Sequence, residues 1–263
     1  MKSNMLTIDT EDWFQVFYGG HAITRENWNS IEPKISQMIS SVLELLENKN
    51  THATFFVVGW IAERNPLLIR KIVESGHEIA SHSYWHTEVF RQSPKEFRED
   101  IKRAKECLEQ ASGLAVKGFR APGYSIRPSD EWALDIIIDV GHKYDSSLLY
   151  IQKPFSEILP GFYEVAPNSI SMLGVWLPSN GGFFFRIMPY LLYKYYVKYL
   201  NRKSIPLVFY THTWEVFIDY PQIPMPLHKK IIQYTNLTSV KNKIEHLVQD
   251  FEFTSIEKHY PIL

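Results

Sequence analysis

The chain has 263 residues, of which 45% are hydrophobic, 14% aromatic and 22% charged. That apolar content excludes disorder and suffices for one large α/β domain or two small ones. With 28 basic against 29 acidic residues there is no electrostatic footprint for nucleic acid, and the single Cys107 excludes an internal disulfide scaffold.

No apolar run reaches the roughly 18 residues of a spanning helix. The opening MKSNMLTIDTED turns acidic before a signal-peptide core forms, so the default compartment is the cytoplasm. In chain order, residues 5–9 read as a strand. Residues 31–49 read as a helix with apolar Ile35, Met38, Ile39, Val42, Leu45 and Leu46 on one face. The run ATFFVV at 53–58 suits a buried parallel strand. Pro66 opens a helix that Gly76 stops, and 78–81 is the next strand. Ser93-Pro94-Lys95-Glu96 carries a capping-box pattern at the head of a helix running to about Ser112. A strand at 118–120, a helix from about Ser129 and a strand at 144–145 continue the alternation. Repeated βα units imply a parallel sheet, closed as a barrel or left open.

Residues 150–185 break this rhythm with Pro154, Pro160, Pro167, Pro178 and the Gly181-Gly182 pair, and read as an insertion of loops and small strands. A helix at 189–202, a strand at 206–211 and a helix at 240–251 follow. No repeat or linker divides the chain, so residues 1–263 are expected to form one domain with an extension from about 215.

Polar residues gather at the C-terminal ends of the expected strands, where parallel α/β folds place their sites. These are Asp9-Thr10-Glu11-Asp12, His82 and His86, Arg120 with Tyr124, and His212. An acidic loop alone is ordinary solvated surface, and two histidines four apart are ordinarily incidental. Their recurrence at one end of successive strands is what points to chemistry. Two imidazoles and a carboxylate leave coordination positions open, the catalytic form of a zinc-type site. A metal there acidifies water and polarises a carbonyl. A spare carboxylate serves as general base, Arg120 holds that base ionised, and His212 protonates a leaving amine. The constellation reads as metal-assisted hydrolysis of an amide or ester.

The ordered set TIDTED (7–12), HSYWH (82–86), RAPGY (120–124), YDSS (144–147) and YTH (210–212) resembles the polysaccharide deacetylases with a NodB-homology domain. The D-x-E-D-W-F opening, NGGFFFRIMPY (180–190), HTWEVFIDYPQIP (212–224) and the tail at 250–255 are similar to a bacterial subgroup associated with exopolysaccharide assembly. The resemblance implies a distorted (β/α) barrel of about seven strands and one divalent ion. Zn²⁺ is the default, and Co²⁺, Ni²⁺ or Fe²⁺ also suit the ligands. It implies hydrolysis of an N-acetyl group from a sugar of a surface polysaccharide or its precursor. Asp9 is then similar to the base, His82 and His86 to ligands, Arg120 to the partner of the base, and His212 to the acid.

The chain departs from that pattern in three places. Thr10 follows Asp9 where a second aspartate is usual, so the carboxylate ligand is Glu11 or Asp12, with Glu11 preferred because strand alternation puts it on the face of Asp9. Gly123 stands where the family often has a tyrosine whose amide helps to bind the oxyanion, and Tyr124 follows. The fourth motif lacks its usual second aspartate, so Asp145, or else Glu215, is left to tune His212. Two other readings compete: an allantoinase-like hydrolase of another amide, and an inactive carbohydrate-binding barrel.

Trp85, Trp176 and Trp214 are candidates for stacking on sugar, Trp214 first as a wall of the site, while Phe183–Phe185 read as core. The helix at 189–202 carries Lys194, Lys198 and Arg202 beside five tyrosines, and packing on the barrel is preferred to lying on a membrane surface. Cys107 is expected to be a buried small apolar residue.

Overall fold

Strand-forming stretches buried on both faces make the centre of the molecule. The computed structural model describes residues 3–16, 23–151, 153–173 and 175–261. Its strands are β1 (Asn4–Thr10), β2 (Thr54–Val57), β3 (Glu78–Ser81), β4 (Gly118–Phe119), β5 (Tyr144–Asp145) and β6 (Ser156–Leu159). They continue with β7 (Phe162–Glu164), β8 (Ser169–Met172), β9 (Val175–Pro178), β10 (Val208–His212) and β11 (Phe253–Thr254). The order β10-β1-β2-β3-β4-β5-β7 is parallel throughout, as the βα alternation requires. β6 adds an antiparallel edge and β11 pairs with the start of β1. The sheet curls as a half-barrel flanked by helices, and its strands end on one side.

Helices cover the outer face. The Pro94–Ser112 helix starts on a complete Ser93/Glu96 capping box and ends at Gly113, whose φ of 73° suits glycine. It buries Phe97, Ile101, Ala104 and Leu108. Cys107 lies at the edge of that stripe, packed against the core but only half-buried, a correction to the expected buried position. The helix expected from residue 31 begins later, at Ile35–Glu47. Pro33 disfavours a helical Glu32, and the side chain of Asp12 reaches across to accept from Lys34 N and Ile35 N.

Residues 150–185 do two different things. β7 joins the main sheet, with Asp145 opposite Glu164, while β8 and β9 form a separate two-stranded ribbon. Farther on, the chain covers the outer edge of β10. Asn180 O accepts from Tyr210 N, and Asn168 Oδ1 accepts from Val208 N at 2.7 Å. Only glycine fits at 181, because a Cβ there would lie 1.8 Å from the Tyr210 carbonyl oxygen.

The Tyr190–Arg202 helix packs Tyr193, Val197 and Leu200 inward, leaving Leu191, Leu192, Tyr195 and Tyr199 exposed. Lys194 pairs with Asp250 at 2.6 Å. Among the described residues no helix is long and apolar enough to cross a membrane.

Candidate active site

The ends of β1 and β3 bring Glu11, His82 and His86 together, with one ligand atom from each within 4.8 Å of the others. Glu11 Oε1 lies 3.0 Å from His86 Nε2 and 3.6 Å from His82 Nε2. Each ring turns its other nitrogen to a backbone carbonyl, His82 Nδ1 to Arg120 O at 2.8 Å and His86 Nδ1 to Gln15 O at 2.7 Å. Those carbonyls need a proton on Nδ1, which leaves the Nε2 lone pairs facing Glu11. Among the described residues, His82 Nε2 is buried and finds no hydrogen-bond partner. A tetrahedral ion with bonds of about 2.0–2.1 Å needs donor atoms roughly 3.3 Å apart, which these separations bracket. Burial opposes the Glu11 charge, yet the neighbouring histidines outweigh it and hold its carboxyl well below the usual range.

The histidine loop is strained and braced. Ser83 and His86 sit in the left-handed region at φ 61° and 54°. Asp100, from the Pro94–Ser112 helix, accepts from Tyr84 N at 2.8 Å and Trp85 N at 2.9 Å, while Ser83 Oγ accepts from His86 N. The loop also needs Gly59, since a Cβ there would meet Ala104 Cα at 2.8 Å.

Asp12 is not among these converging groups. Its carboxylate accepts from Trp13 N, Lys34 N and Ile35 N, so it caps a helix instead of facing the two imidazoles. The alternation of β1 stops at Thr10, and the turn that follows directs the buried Asp12 toward the head of the Ile35–Glu47 helix. Burial lifts its carboxyl to about 6 despite those three amides.

Asp9 lies directly opposite His212 in the β1–β10 register. Arg120, fully buried, donates from Nη1 to Asp9 Oδ1 and Thr7 Oγ1 at 2.8 Å each, and from Nε and Nη2 to Ser146 O and Oγ. Four acceptors fix the guanidinium, and the guanidinium fixes one oxygen of Asp9.

His212 is served by Glu215, not by Asp145. Glu215 Oε2 lies 3.1 Å from His212 Nδ1 and accepts from His212 N and Thr211 Oγ1 at 3.0 Å each. Burial alone disfavours the imidazolium, but Glu11, Glu215 and Asp9 outweigh it and lift His212 to about 9. The same pairing, aided by Arg186, overcomes burial and holds Glu215 at about 2. Asp145 accepts instead from Ser147 N and Oγ, and Ser147 Oγ takes the Ala121 amide. Asp145 therefore braces the Arg120–Ala121 backbone. Burial raises Asp145 to about 6 and, with Asp145 beside it, raises Glu164 well above the usual range.

Trp214 is 4% exposed, so it does not offer the sugar-stacking wall expected of it. Its ring stacks on His212 with centroids 4.6 Å apart, and its Nε1 lies 3.4 Å from Glu11 Oε2. Tyr124, in the left-handed region at φ 53°, lies edge-on to Tyr210 beside the Arg120 guanidinium. Its amide is taken by Ala121 O at 3.0 Å. Of the Phe183–Phe185 run, Phe185 is core and Phe184 packs against it. Sequence reasoning misses Arg186 and Asp100. A lone charge inside the apolar run GGFFFRIM is the signal that marks Arg186, because an unpaired buried charge is too costly to keep.

Residues 27–144 match the polysaccharide deacetylase family. The chain carries a polysaccharide deacetylase domain. Residues 147–261 of this deacetylase-domain chain match a domain of unknown function. A peptidoglycan-N-acetylglucosamine deacetylase of Bacillus cereus is 33% identical over 95 residues, 36% of this chain and 34% of the relative. A chitooligosaccharide deacetylase of Bradyrhizobium sp. is 34% identical over 97 residues, 36% of this chain and 42% of the relative. The chain thus matches less than half the length of these curated relatives. Among solved structures, a Mycobacterium smegmatis protein assigned to the polysaccharide deacetylases superposes with TM-score 0.66 at 17% identity, over 98% of this chain and 89% of that one. A family 4 carbohydrate esterase pseudoenzyme from Bacillus anthracis gives TM-score 0.55 at 16% identity, over 98% of this chain and 64% of that one. These superpositions show the shared fold.

Proposed function

We propose that this deacetylase-domain protein hydrolyses the N-acetyl group of an acetylated sugar unit in a surface polysaccharide or its precursor, using one divalent ion. The observation that carries this reading is the convergence of two Nε2 atoms and a Glu11 oxygen, with both Nδ1 atoms committed to backbone carbonyls. Glu11, His82 and His86 would hold the ion, Zn²⁺ by default with Co²⁺, Ni²⁺ or Fe²⁺ as alternatives. A bound ion supplies Lewis acidity toward the acetyl carbonyl and toward water. The named substrates of the Bacillus cereus and Bradyrhizobium relatives support the sugar amide as the bond attacked.

The rest follows from the chain's own groups. Asp9 accepts the proton of the attacking water, and Arg120 holds its carboxylate in place. His212 donates to the departing nitrogen from Nε2, because Glu215 takes the proton of Nδ1. Trp214 keeps the His212 ring flat against one wall and shields Glu11 from water. Tyr124 and the backbone after Pro122, which follow Arg120, would border the acetyl group of a bound substrate. Asp9 and Glu11 precede the first family match and His212 lies within the second, so we read the two segments as one functional unit.

Acetate release from a chitooligosaccharide and other N-acetylhexosamine derivatives, with and without a chelator, tests this reading. Chelator-sensitive release with close to one ion per chain is expected. Metal-free protein that releases acetate equally well would overturn it.

A further inference from the structure

Arg186 belongs to the short Gly182–Ile187 helix and is only 3% exposed. Its Nε lies 3.0 Å from Glu215 Oε1, an ion pair outside hydrogen-bond geometry. Its two terminal nitrogens donate to the carbonyls of Ile232, Gln233 and Thr235 at the end of the Leu227–Tyr234 helix. Those carbonyls have no partner within their own helix, and a cation there also meets the negative end of its dipole. The two oxygens of Glu215 are therefore engaged on opposite sides. Oε1 faces Arg186, while Oε2 faces Thr211 Oγ1, His212 N and His212 Nδ1. Charge attraction on the Oε1 side and hydrogen bonds on the Oε2 side favour the orientation that faces the imidazole.

We propose that Arg186 is a positioning residue for proton donation. It locks Glu215 so that the Nδ1 proton of His212 is fixed and Nε2 points at the leaving nitrogen, and it ties that alignment to the helix at Leu227–Tyr234. The region that matches a domain of unknown function thereby supplies the whole proton-donating half of the site: Arg186, His212 and Glu215. The inference rests on the reading that His212 protonates the amine of a deacetylase substrate.

The test separates positioning from simple structural support by the leaving group. An amide nitrogen must be protonated to depart, whereas the phenolate of 4-nitrophenyl acetate leaves without a proton. The zinc-loaded variants Arg186→Lys, Glu215→Gln and the double variant are compared with wild type on a chitooligosaccharide and on the aryl acetate. Arg186→Lys keeps the charge for folding but cannot serve the helix carbonyls and Glu215 together. On the amide, kcat is expected to fall about 10- to 100-fold in each single variant, with KM and aryl acetate turnover changed less than about threefold. The double variant is expected to be no worse than Glu215→Gln, since one residue acts through the other. In metal-free protein the downfield proton resonance of His212 Nδ1–H is expected in wild type, shifted in Arg186→Lys and lost in Glu215→Gln. Equal losses on both substrates, an additive double variant, or an unmoved resonance in Arg186→Lys would overturn the proposal. Wild-type protein that hydrolyses neither substrate overturns the deacetylase reading instead, and the resonance still decides the role of Arg186.

Discussion

On the metal-binding side, His82 and His86 are aimed by backbone carbonyls and braced by a loop whose own residues, Ser83 to His86, supply much of the support. On the proton-donating side, His212 is aimed by a carboxylate, and that carboxylate is aimed by an arginine on another helix, itself anchored to a third. Backbone carbonyls cannot be mutated away. Side-chain chains of contacts can be, and each link is a point of failure. The comparison predicts that the metal side tolerates changes to its neighbours while failing completely at its ligands, and that the proton side degrades in steps.

The sharpest way to break that comparison is Glu11→Gln, which removes the only charged donor facing the two imidazoles among the described residues. Metal content by mass spectrometry is expected to fall from close to one ion per chain to near none, with acetate release at background. Asp12→Ala should behave in the opposite way. It keeps the ion and costs about 1–2 kcal/mol of unfolding free energy, the usual loss for a helix cap. A variant set in which Asp12→Ala empties the site and Glu11→Gln leaves it full would exchange the two roles.

Changes on the other side should leave the ion in place. His212→Ala and Asp9→Asn are each expected to retain metal and to lose about 10²- to 10⁴-fold in kcat, the ordinary range for general acid–base catalysis. Steady-state kinetics on metal-saturated protein checks this, and full activity in His212→Ala would remove it from the mechanism. Asp145→Asn is a smaller change. Since Asp145 holds Ser147 and, through it, the Ala121 amide, it should shift unfolding midpoints while holding kcat within about threefold of wild type. A loss as large as that of His212→Ala would return Asp145 to the proton-donating group.

The same contrast explains what could be seen in the sequence. Strands β1, β3 and β10 and the helix at Pro94–Ser112 are visible because apolar runs, a capping box and a final glycine are local signals. His82 and His86 follow β3 and Arg120 follows β4, so elementary placement at strand ends finds them. Between Glu11 and Asp12 the sequence favours Glu11 by alternation along β1, while Asp12, past the strand end, turns to the amides of Lys34 and Ile35, partners that no local pattern announces. Glu215 has a local trace, since a residue three past an N-cap accepts back from it, and His212 with Glu215 forms that pattern. The partners of Arg186 have none, because Ile232, Gln233 and Thr235 contribute only carbonyls, and every residue has one.

The smallest predicted effect concerns Asp145 and Glu164, a buried pair that serves the frame of the site. Both carboxyls have folded pKa values raised above their unfolded values, with burial as the first cause and the charge of Asp145 adding to it for Glu164. A raised acid is favoured in the fold only while protonated. The unfolded chain releases these protons first, at about pH 4. Stability from the pair is therefore present below that pH and declines as pH rises through about 6 for Asp145 and higher for Glu164. The groups facing the pair are the Arg120 guanidinium and the Tyr150 phenol, and of these only Arg120 offsets the negative charge. Glu164→Gln keeps an oxygen for Leu148 N, which bonds to Glu164 Oε1 in the native protein, and offers an amide proton to Asp145. Urea unfolding should show the variant more stable than wild type at pH 8, by on the order of 1–3 kcal/mol, since a tenfold difference in proton affinity between the folded and unfolded chain is worth about 1.4 kcal/mol. The difference should close near pH 4. If the two proteins differ by the same amount at both pH values, the pair is not a shared-proton element of the frame, and the calm that Asp145→Asn is expected to show in kcat would need another cause.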